Sequence, residues 1–345
     1  SIRGATFGQT LVLLNGRRMN DPQTGHHSMD VPVPLDAIES VEVLRGAGST
    51  LYGSDAMGGV VNIITSQPEG WQVRTRAALG SDGAQQQSLG AGGVFGRFSE
   101  RASLARDFST GFMPDRDYRA LAGSSSSTMR TRLGTTGLEL AAADRAYGAD
   151  NFYGAYPSWE RTKTWFADVR QQFGRSTDAA LSYRRHTDLF YLYRDNPQRY
   201  QNHHAAESWQ ASLRRRDEVR RHFTLYSGAE MFADSIQSSN LGHHNRARGA
   251  AYAALDARAM GRFSFSAGVR TESYRGAFDQ FSPSISGGYW ATAKLKLRAS
   301  VSRAYRVPTF TELFYNDPAN RGNSALRAER AWSTEAGADW RPASA

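Results

Sequence analysis

Apolar and polar side chains alternate along most of this chain, and the pattern begins in earnest after Pro68. Trp71, Val73, Thr75, Ala77 and Leu79 share one parity, with Gln72, Arg74 and Arg76 on the other. Phe98, Ala102 and Leu104 stand against Arg97, Ser99, Arg101 and Ser103, and Trp165, Ala167, Val169 and Phe173 against Thr164, Asp168 and Arg170. Phe263 to Val269 and Leu295 to Val301 repeat the pattern. A period of two is the β signature, because successive side chains of a strand point to opposite faces. About fourteen strands are predicted, starting near 71, 85, 97, 119, 137, 160, 177, 205, 220, 244, 262, 284, 295 and 331.

The connections alternate as well. Tight turns are expected around Gly96, Gly134, Gly174-Arg175, Asp217-Glu218, Gly261 and Lys294. Longer loops are expected at 110–118, 148–159, 194–204, 236–243, 275–283 and 306–330, with only the Ser81-Asp82-Gly83 connection short on that side. Short turns at one end and long loops at the other are the transmembrane-barrel pattern. A closed barrel satisfies every backbone group within lipid. Strands of roughly 10–15 residues are long for a soluble sandwich.

Residues 1–67 differ. Leu11-Val12-Leu13-Leu14 is a continuous apolar run entering the turn pair Asn15-Gly16. Pro32, Pro34 and Asp36 precede a short helical turn at Ala37-Ile38, and Val41-Glu42-Val43-Leu44 reads as a strand. Val60 to Thr65 is β-branched and predicts another. These elements describe a small mixed α/β domain over 1–67, followed by a barrel domain over 68–345.

Composition agrees with a membrane barrel. Of 345 residues 40% are hydrophobic, yet there are 7 Trp, 15 Tyr and 17 Phe, and mean hydropathy is -0.56. No apolar run is long enough for a helical span, whereas a strand crosses hydrocarbon in about 9–11 residues with alternate side chains apolar. The net charge is +9, and of 42 basic residues only Lys163, Lys294 and Lys296 are lysine. The arginines are dispersed between apolar positions, with no zinc-finger spacing or recognition helix, so nucleic acid is not an expected partner. The absence of cysteine removes disulfides and thiolate chemistry. No HExxH or Gly-x-Ser-x-Gly motif is present, and the glycines after Arg45 lack the Gly-Lys-Ser/Thr that closes a phosphate loop. No catalytic residue, resident metal or cofactor is expected; an outer-membrane phospholipase or protease is the weak enzymatic alternative.

Three stretches carry a resemblance. Ile2-Arg3-Gly4 with Gln9 to Arg17, and Ile38 to Gly46 with Leu51 to Thr65, resemble the second half of the plug domain of TonB-dependent receptors. Arg303 to Phe314, then Gly322-Asn323, Leu326, Glu329 and Glu335, resembles the barrel of the same receptors, near the vitamin B12 and siderophore branches. The resemblance implies a barrel of about 22 strands occluded by a plug. It also implies capture of a nutrient from outside, and transport driven by a TonB-type inner-membrane complex. The expected location is the outer membrane, multi-pass and monomeric, in contact with lipid and a small-molecule substrate. On this basis the energy-coupling segment and the start of the plug are expected before Ser1. The remaining strands, about eight, are expected beyond Ala345. Cobalamin, an iron chelate and a glycan stay open as substrates, with net positive charge leaning toward an anionic one. A non-transporting barrel for adhesion or complex formation is the competing class.

Candidate sites follow. In the loop Asp21-Pro22-Gln23-Thr24-Gly25-His26-His27, the residues Gln23, Thr24, His26 and His27 are expected to face ligand. Adjacent histidines are a poor pair for one metal without help from other elements. Loop aromatics Tyr147, Phe152, Tyr153, Tyr156 and Trp159, with Tyr193, Tyr200, Phe310, Phe314 and Tyr315, suit ligand capture, because rigid rings bury much area at little entropy cost. The interfacial aromatic girdle of any such barrel is the alternative for those near strand ends. His203-His204 and His243-His244 lie at loop–strand junctions, as chelate contacts or as lumenal histidines. Within the plug, Arg3, Gly4, Gly16, Gly46, Tyr52, Gly53, Gly58, Gly59 and Asn62 are assigned structural roles, the glycines for tight turns and close backbone approach. Glu42 and Arg45 are expected to contact the barrel, since buried charges must be paired.

Overall fold

Asn15 and Gly16 adopt left-handed backbones, φ 49° and 78°, and join β1 (Thr10–Leu14) to β2 (Arg17–Arg18) in a two-residue hairpin with Leu14 opposite Arg17. Positive φ at both central residues is what a type I′ turn requires. The structure is a computed structural model that describes residues 2–152, 154–276, 278–317 and 320–341. After β2 come a single helical turn at Leu35–Ala37, β3 (Ile38–Arg45), helix α1 (Ser49–Tyr52) and β4 (Gly59–Thr65). The sheet order is β2-β1-β4-β3, with β1 and β4 parallel and β3 antiparallel to β4. Strand β1, covered on both faces, is the continuous apolar run that a buried parallel strand needs.

Among the described residues, fourteen strands form the second sheet: β5 (Gln72–Leu79), β6 (Gln85–Phe95), β7 (Phe98–Ser109), β8 (Tyr118–Thr131), β9 (Gly134–Gly148), β10 (Trp159–Phe173) and β11 (Thr177–Tyr191). They continue as β12 (Gln201–Arg220), β13 (Phe223–Ser238), β14 (Gly242–Met260), β15 (Phe263–Tyr274), β16 (Asp279–Trp290), β17 (Leu295–Arg306) and β18 (Glu329–Trp340). Each pairs antiparallel with its sequence neighbours, and β5 and β18 are the ends of the order. The expected architecture is present: an all-β barrel sheet of fourteen strands curved around a small mixed plug.

Four connections differ from expectation, the first because Gln201 to His204, expected in the loop 194–204, pair with β11 inside β12. Asp217 and Glu218 are inside β12, paired with Leu225 and Thr224, and the turn is Arg221-His222. Without a glycine or proline, an arginine-rich strand end looks like a turn. The loop expected over 236–243 shrinks to residues 239–241, because β13 and β14 pair out to Ser238 and Gly242. Residues 279–283 belong to β16 despite Pro283, which lies where β16 pairs with β15 but not yet with β17. A proline without an N–H is tolerated at such an edge.

The plug core is Leu11, Leu13, Ala56 and Val60 on one side of its sheet, and Val12, Leu14, Met19, Val31, Val33 and Ile63 on the other. The second cluster continues into the barrel wall through Ala141 of β9 and Phe166 of β10. Strand β10 shows the two-sided logic. Trp165 and Val169 point outward, exposed, whereas Glu160, Thr162, Thr164, Phe166 and Asp168 are buried against the plug. The outward apolar face is the lipid face of a membrane barrel. Met231, mid-strand on β13 and 70% exposed, tests it. Met231→Arg is expected to destabilise the membrane-inserted protein by about 2–4 kcal/mol. A denaturant titration in lipid bilayers unchanged by this substitution would remove that face from the hydrocarbon.

Glu42 and Arg45 make no hydrogen bond or ion pair with the fourteen strands among the described residues. Both are exposed on β3, and Glu42 accepts from Asn62 Nδ2 (3.1 Å) inside the plug. Other residues tie plug to barrel. Arg17, buried, donates to Asp168 (3.1 Å), Asp178 (3.2 Å) and Ser212 (3.1 Å). Gln9 donates to Glu329 (2.9 Å), Asn15 to Glu139, and Arg3 pairs with Glu335. Tyr52 packs against the smaller plug cluster.

Candidate functional site

The plug segment 21–30 turns at the end of the barrel that carries the long loops. Thr24 caps a helical turn over Gly25–Met29. Opposite it, the connection between β17 and β18 forms helix α2 (Phe310–Phe314), closed by a capping box between Thr309 and Glu312. The first N–H groups of a helix lack internal partners; here Phe310 N donates to Pro22 O (2.9 Å) and Thr311 N to Gln23 O (3.0 Å). A barrel loop is thereby bonded to the plug backbone. Arg306, at the end of β17, holds the other side of α2 by donating to both Glu312 and Glu329. Burial alone would raise the Glu312 carboxyl, but the Arg306 guanidinium and the Thr309 N–H hold it below the usual range.

Between these elements lies an open cavity of ≈ 740 Å³. Its floor is Gln23, Thr24, His26 and His27 of the plug; Glu160, Asp188, Asn202 and His204 come from strands, and Tyr156, Tyr200, Tyr315 and Arg321 from loops. Tyr200 donates to Asp317 (3.4 Å), and its hydroxyl is 3.5 Å from that of Tyr315. All four plug candidates thus line the cavity, together with three of the aromatic ones. The remaining aromatics are elsewhere. Phe310 is buried with Ile236 and Leu241, and Phe314 stacks on His244 at 3.6 Å between centroids. Trp159 stacks on Tyr191, Tyr193 packs on Tyr156 and under Arg199, and exposed Phe152 lies edge-on to His26. Tyr147 does not line the cavity, and Tyr153 lies outside the described residues.

The lining carries four carboxylates, Glu160, Asp188, Glu312 and Asp317, against one arginine and three histidines. The arginines that give the chain its positive charge are largely paired elsewhere in the lumen. The lean toward an anionic substrate therefore finds no support in the lining of this cavity.

Beneath the cavity the plug meets the barrel through buried charge. Asp21 accepts from Arg184 Nη1 (2.8 Å) and faces His186 Nδ1 at 3.0 Å. Asp30 faces His186 Nε2 (3.2 Å) and Arg145 (3.5 Å). His27 faces Glu160 and Asp188 through Nε2, both at 3.5 Å, and Asp30 through Nδ1 at 3.7 Å. Burial alone would raise the Asp21 carboxyl; Arg184 and His186 pull it well below the carboxylate range instead. Asp30 is likewise lowered to about 2, against burial, by His186 and Arg145. Burial would depress His27, but Asp188, Glu160 and Asp21 push it up to about 9. His26, exposed and without such partners, is lowered by partial burial and the charge of His27.

Glu160, Asp188, His186 and Arg184 are the residues that sequence reasoning did not single out. The signal was parity: Arg184, His186 and Asp188 alternate with Tyr183, Arg185 and Thr187 on β11, all three inward.

A strand-lined lumen filled by a separate small domain, with an open cavity at the long-loop end, defines a plugged membrane barrel. Family comparison narrows the class. The model described as "TonB dependent receptor-like, beta-barrel" matches residues 70–345, and the "TonB-dependent Receptor Plug Domain" matches residues 1–60. The chain belongs to the TonB-dependent receptor family. It is 27% identical to the vitamin B12 transporter BtuB of Photobacterium profundum, over 97% of this chain and 56% of the relative. It is 48% identical to an iron-regulated outer membrane virulence protein of Vibrio cholerae over 75 residues, 20% of this chain and 12% of that one. Among solved structures it superposes on the siderophore receptor PirA from Pseudomonas aeruginosa with TM-score 0.78 at 18% identity, covering 99% of this chain and 65% of PirA. The FrpB iron transporter of Neisseria meningitidis gives 0.81 at 14% identity, covering 99% and 64%. These two likenesses concern the fold. The chain spans about 56% of the length of the vitamin B12 transporter it matches.

Proposed function

We propose that the full-length protein imports a scarce nutrient, of the iron–siderophore or cobalamin kind, across the outer membrane. A TonB-type inner-membrane complex supplies the energy. The observation that carries this reading is the cavity whose floor is the plug itself. A ligand resting on Gln23, Thr24, His26 and His27 touches the domain that must move for it to pass. The backbone bonds from α2 to Pro22 and Gln23 give the outer loops a direct hold on the same segment. The relatives named for vitamin B12 and for siderophores support both substrate classes. The long-loop end faces outward in this reading, and the barrel spans the membrane as a monomer.

In this mechanism the plug is a closed door in the ligand-free state. Ligand captured by Tyr156, Tyr200 and Tyr315 is held at the floor, and pulling from the periplasmic side breaks the buried plug–barrel pairs. Uptake of labelled siderophore and cobalamin by cells expressing the full-length protein tests it, with and without the energy-transducing partner. Specific uptake that survives loss of the partner contradicts the mechanism. Tyr156→Ala and Tyr315→Ala are each expected to weaken equilibrium ligand binding by roughly tenfold, as loss of a rigid aromatic contact does. Unchanged affinity in both would move the ligand elsewhere.

A further inference from the structure

His27 sits between two sets of possible cation donors. One is His27, Asp30 and His186; the other is His27, Glu160 and Asp188, with the three donor atoms of each set within 4.8 Å of one another. The second set borders the open cavity. We propose that His27 Nε2, Glu160 and Asp188 bind one divalent cation of the Zn²⁺ class at the cavity floor, bridging plug and barrel. The proposal stands on the geometry of the plug loop, β10 and β11, and is independent of the import reading.

Four observations carry it. First, Nε2 stands 3.5 Å from Glu160 Oε1 and 3.5 Å from Asp188 Oδ2, the Asp188 oxygen that also accepts from Gln23. Charge-assisted N–H···O bonds close to about 2.7–2.9 Å, so these atoms are held apart. Donors at about 2.1 Å from one tetrahedral cation stand about 3.4 Å from each other, which matches the distance from Nε2 to each of the two oxygens. Second, Asp188 is 5% exposed, and its Oδ1 makes no hydrogen bond among the described residues. A buried carboxylate oxygen at the edge of a cavity without a donor is a costly arrangement unless something binds there. The other oxygen, Oδ2, is held by Gln23 Nε2 (3.0 Å), which orients the group. Third, Asp30 Oδ2 stands 3.7 Å from His27 Nδ1, beyond hydrogen-bond range, so its charge favours the ring orientation that turns Nε2 toward Glu160 and Asp188. Fourth, one imidazole with two carboxylates selects a borderline transition cation, since Ca²⁺ takes six to eight oxygens and Mg²⁺ keeps its water. Three protein donors leave the fourth position facing the cavity, open to water or to a group on an incoming molecule.

The test uses the full-length protein, purified from outer membranes in detergent and stripped with a chelator. Titration with ZnCl₂ alone is expected to give one site per chain with micromolar or tighter affinity. CoCl₂ should give the visible absorption of a four-coordinate centre, removed by chelator. His27→Gln and Asp188→Asn should each weaken Zn²⁺ binding at least tenfold and abolish the cobalt spectrum, whereas His222→Gln, at the opposite end of the barrel, should match wild type. Migration in unheated gels establishes that each variant is folded. The proposal is overturned if wild type takes up no stoichiometric Zn²⁺, if folded His27→Gln and Asp188→Asn bind as wild type, or if Ca²⁺ binds as tightly as Zn²⁺. Should either variant fail to fold, the wild-type cobalt spectrum decides: its absence overturns the site, and its presence with the energy of imidazole–carboxylate coordination supports it.

Discussion

Asp21→Ala is expected to loosen the plug within the barrel by about 3–5 kcal/mol, the range for removing one partner of a buried ion pair. Asp21 has no exposed side-chain surface, and its partners Arg184 and His186 are 3% and 0% exposed. Asp21 is the hydrogen-bond acceptor of Arg184, whose Nε and Nη2 make no hydrogen bonds among the described residues. Removing the carboxylate therefore strands a guanidinium inside the protein. The substitution should lower the melting temperature of the full-length protein in detergent and expose the plug to protease. Asp21→Asn, which keeps the shape and loses the charge, should fall between. Replacing the pair together, Asp21→Leu with Arg184→Met, should recover much of the loss, since the remaining penalty belongs to the orphaned charge. If Asp21→Ala melts with wild type and its plug stays protected, the latch is not where the plug is held.

This latch also shows where sequence reading reaches and where it stops. The fourteen strands were legible because alternation is a local property, fixed by the period of the backbone. The Asn15-Gly16 hairpin and the His26-His27 loop were legible from turn chemistry, again within a few residues. Partners were not. Asp21 and Arg184 are 163 residues apart, and their meeting depends on which inward-facing row of which strand passes the plug apex. Parity alone places Arg184, His186 and Asp188 on the lumenal face; only the barrel's curvature around the plug says what they meet. Two of the loop aromatics are placed away from the cavity for a related reason. Phe310 and Phe314 share the composition of ligand-capturing rings, yet they pack on Ile236, Leu241 and His244, because α2 folds back onto β13 and β14. Glu42 shows the same limit: its local pattern does not say that it accepts from Asn62 within the plug.

Gly53→Val should be as damaging as the loss of the latch, for backbone as well as electrostatic reasons. Gly53 ends α1 at φ 78° and ψ -149°, a region open essentially to glycine alone and costing other residues about 1–3 kcal/mol. A β-carbon there would lie 2.8 Å from Glu272 Oε2 and 2.9 Å from Arg270 Nη2. Neither can retreat cheaply. Both are 1% exposed, Arg270 donates to Glu230 and Glu272, and Glu272 also accepts from Arg248 and Tyr274. Moving Glu272 takes a carboxylate from two buried arginines at once, leaving Arg270 with Glu230 and Arg248 with the Tyr274 hydroxyl. The alternative is for α1 to move, and α1 is bonded to the wall: Ser49 Oγ accepts from Tyr305 N (3.3 Å), and Thr50 donates to Ser282 O (3.1 Å). Asp21 beneath the cavity and Gly53 against β15 are thus two separated seats among the plug's barrel contacts, and import in the proposed sense requires both to release. Gly53→Ala isolates the backbone term, while Gly53→Val adds further bulk to the clash. Melting temperatures should fall in the order wild type, Ala, Val, with plug proteolysis rising in step. A folded Gly53→Val protein with wild-type stability would mean that α1 does not dock against Arg270 and Glu272 as described.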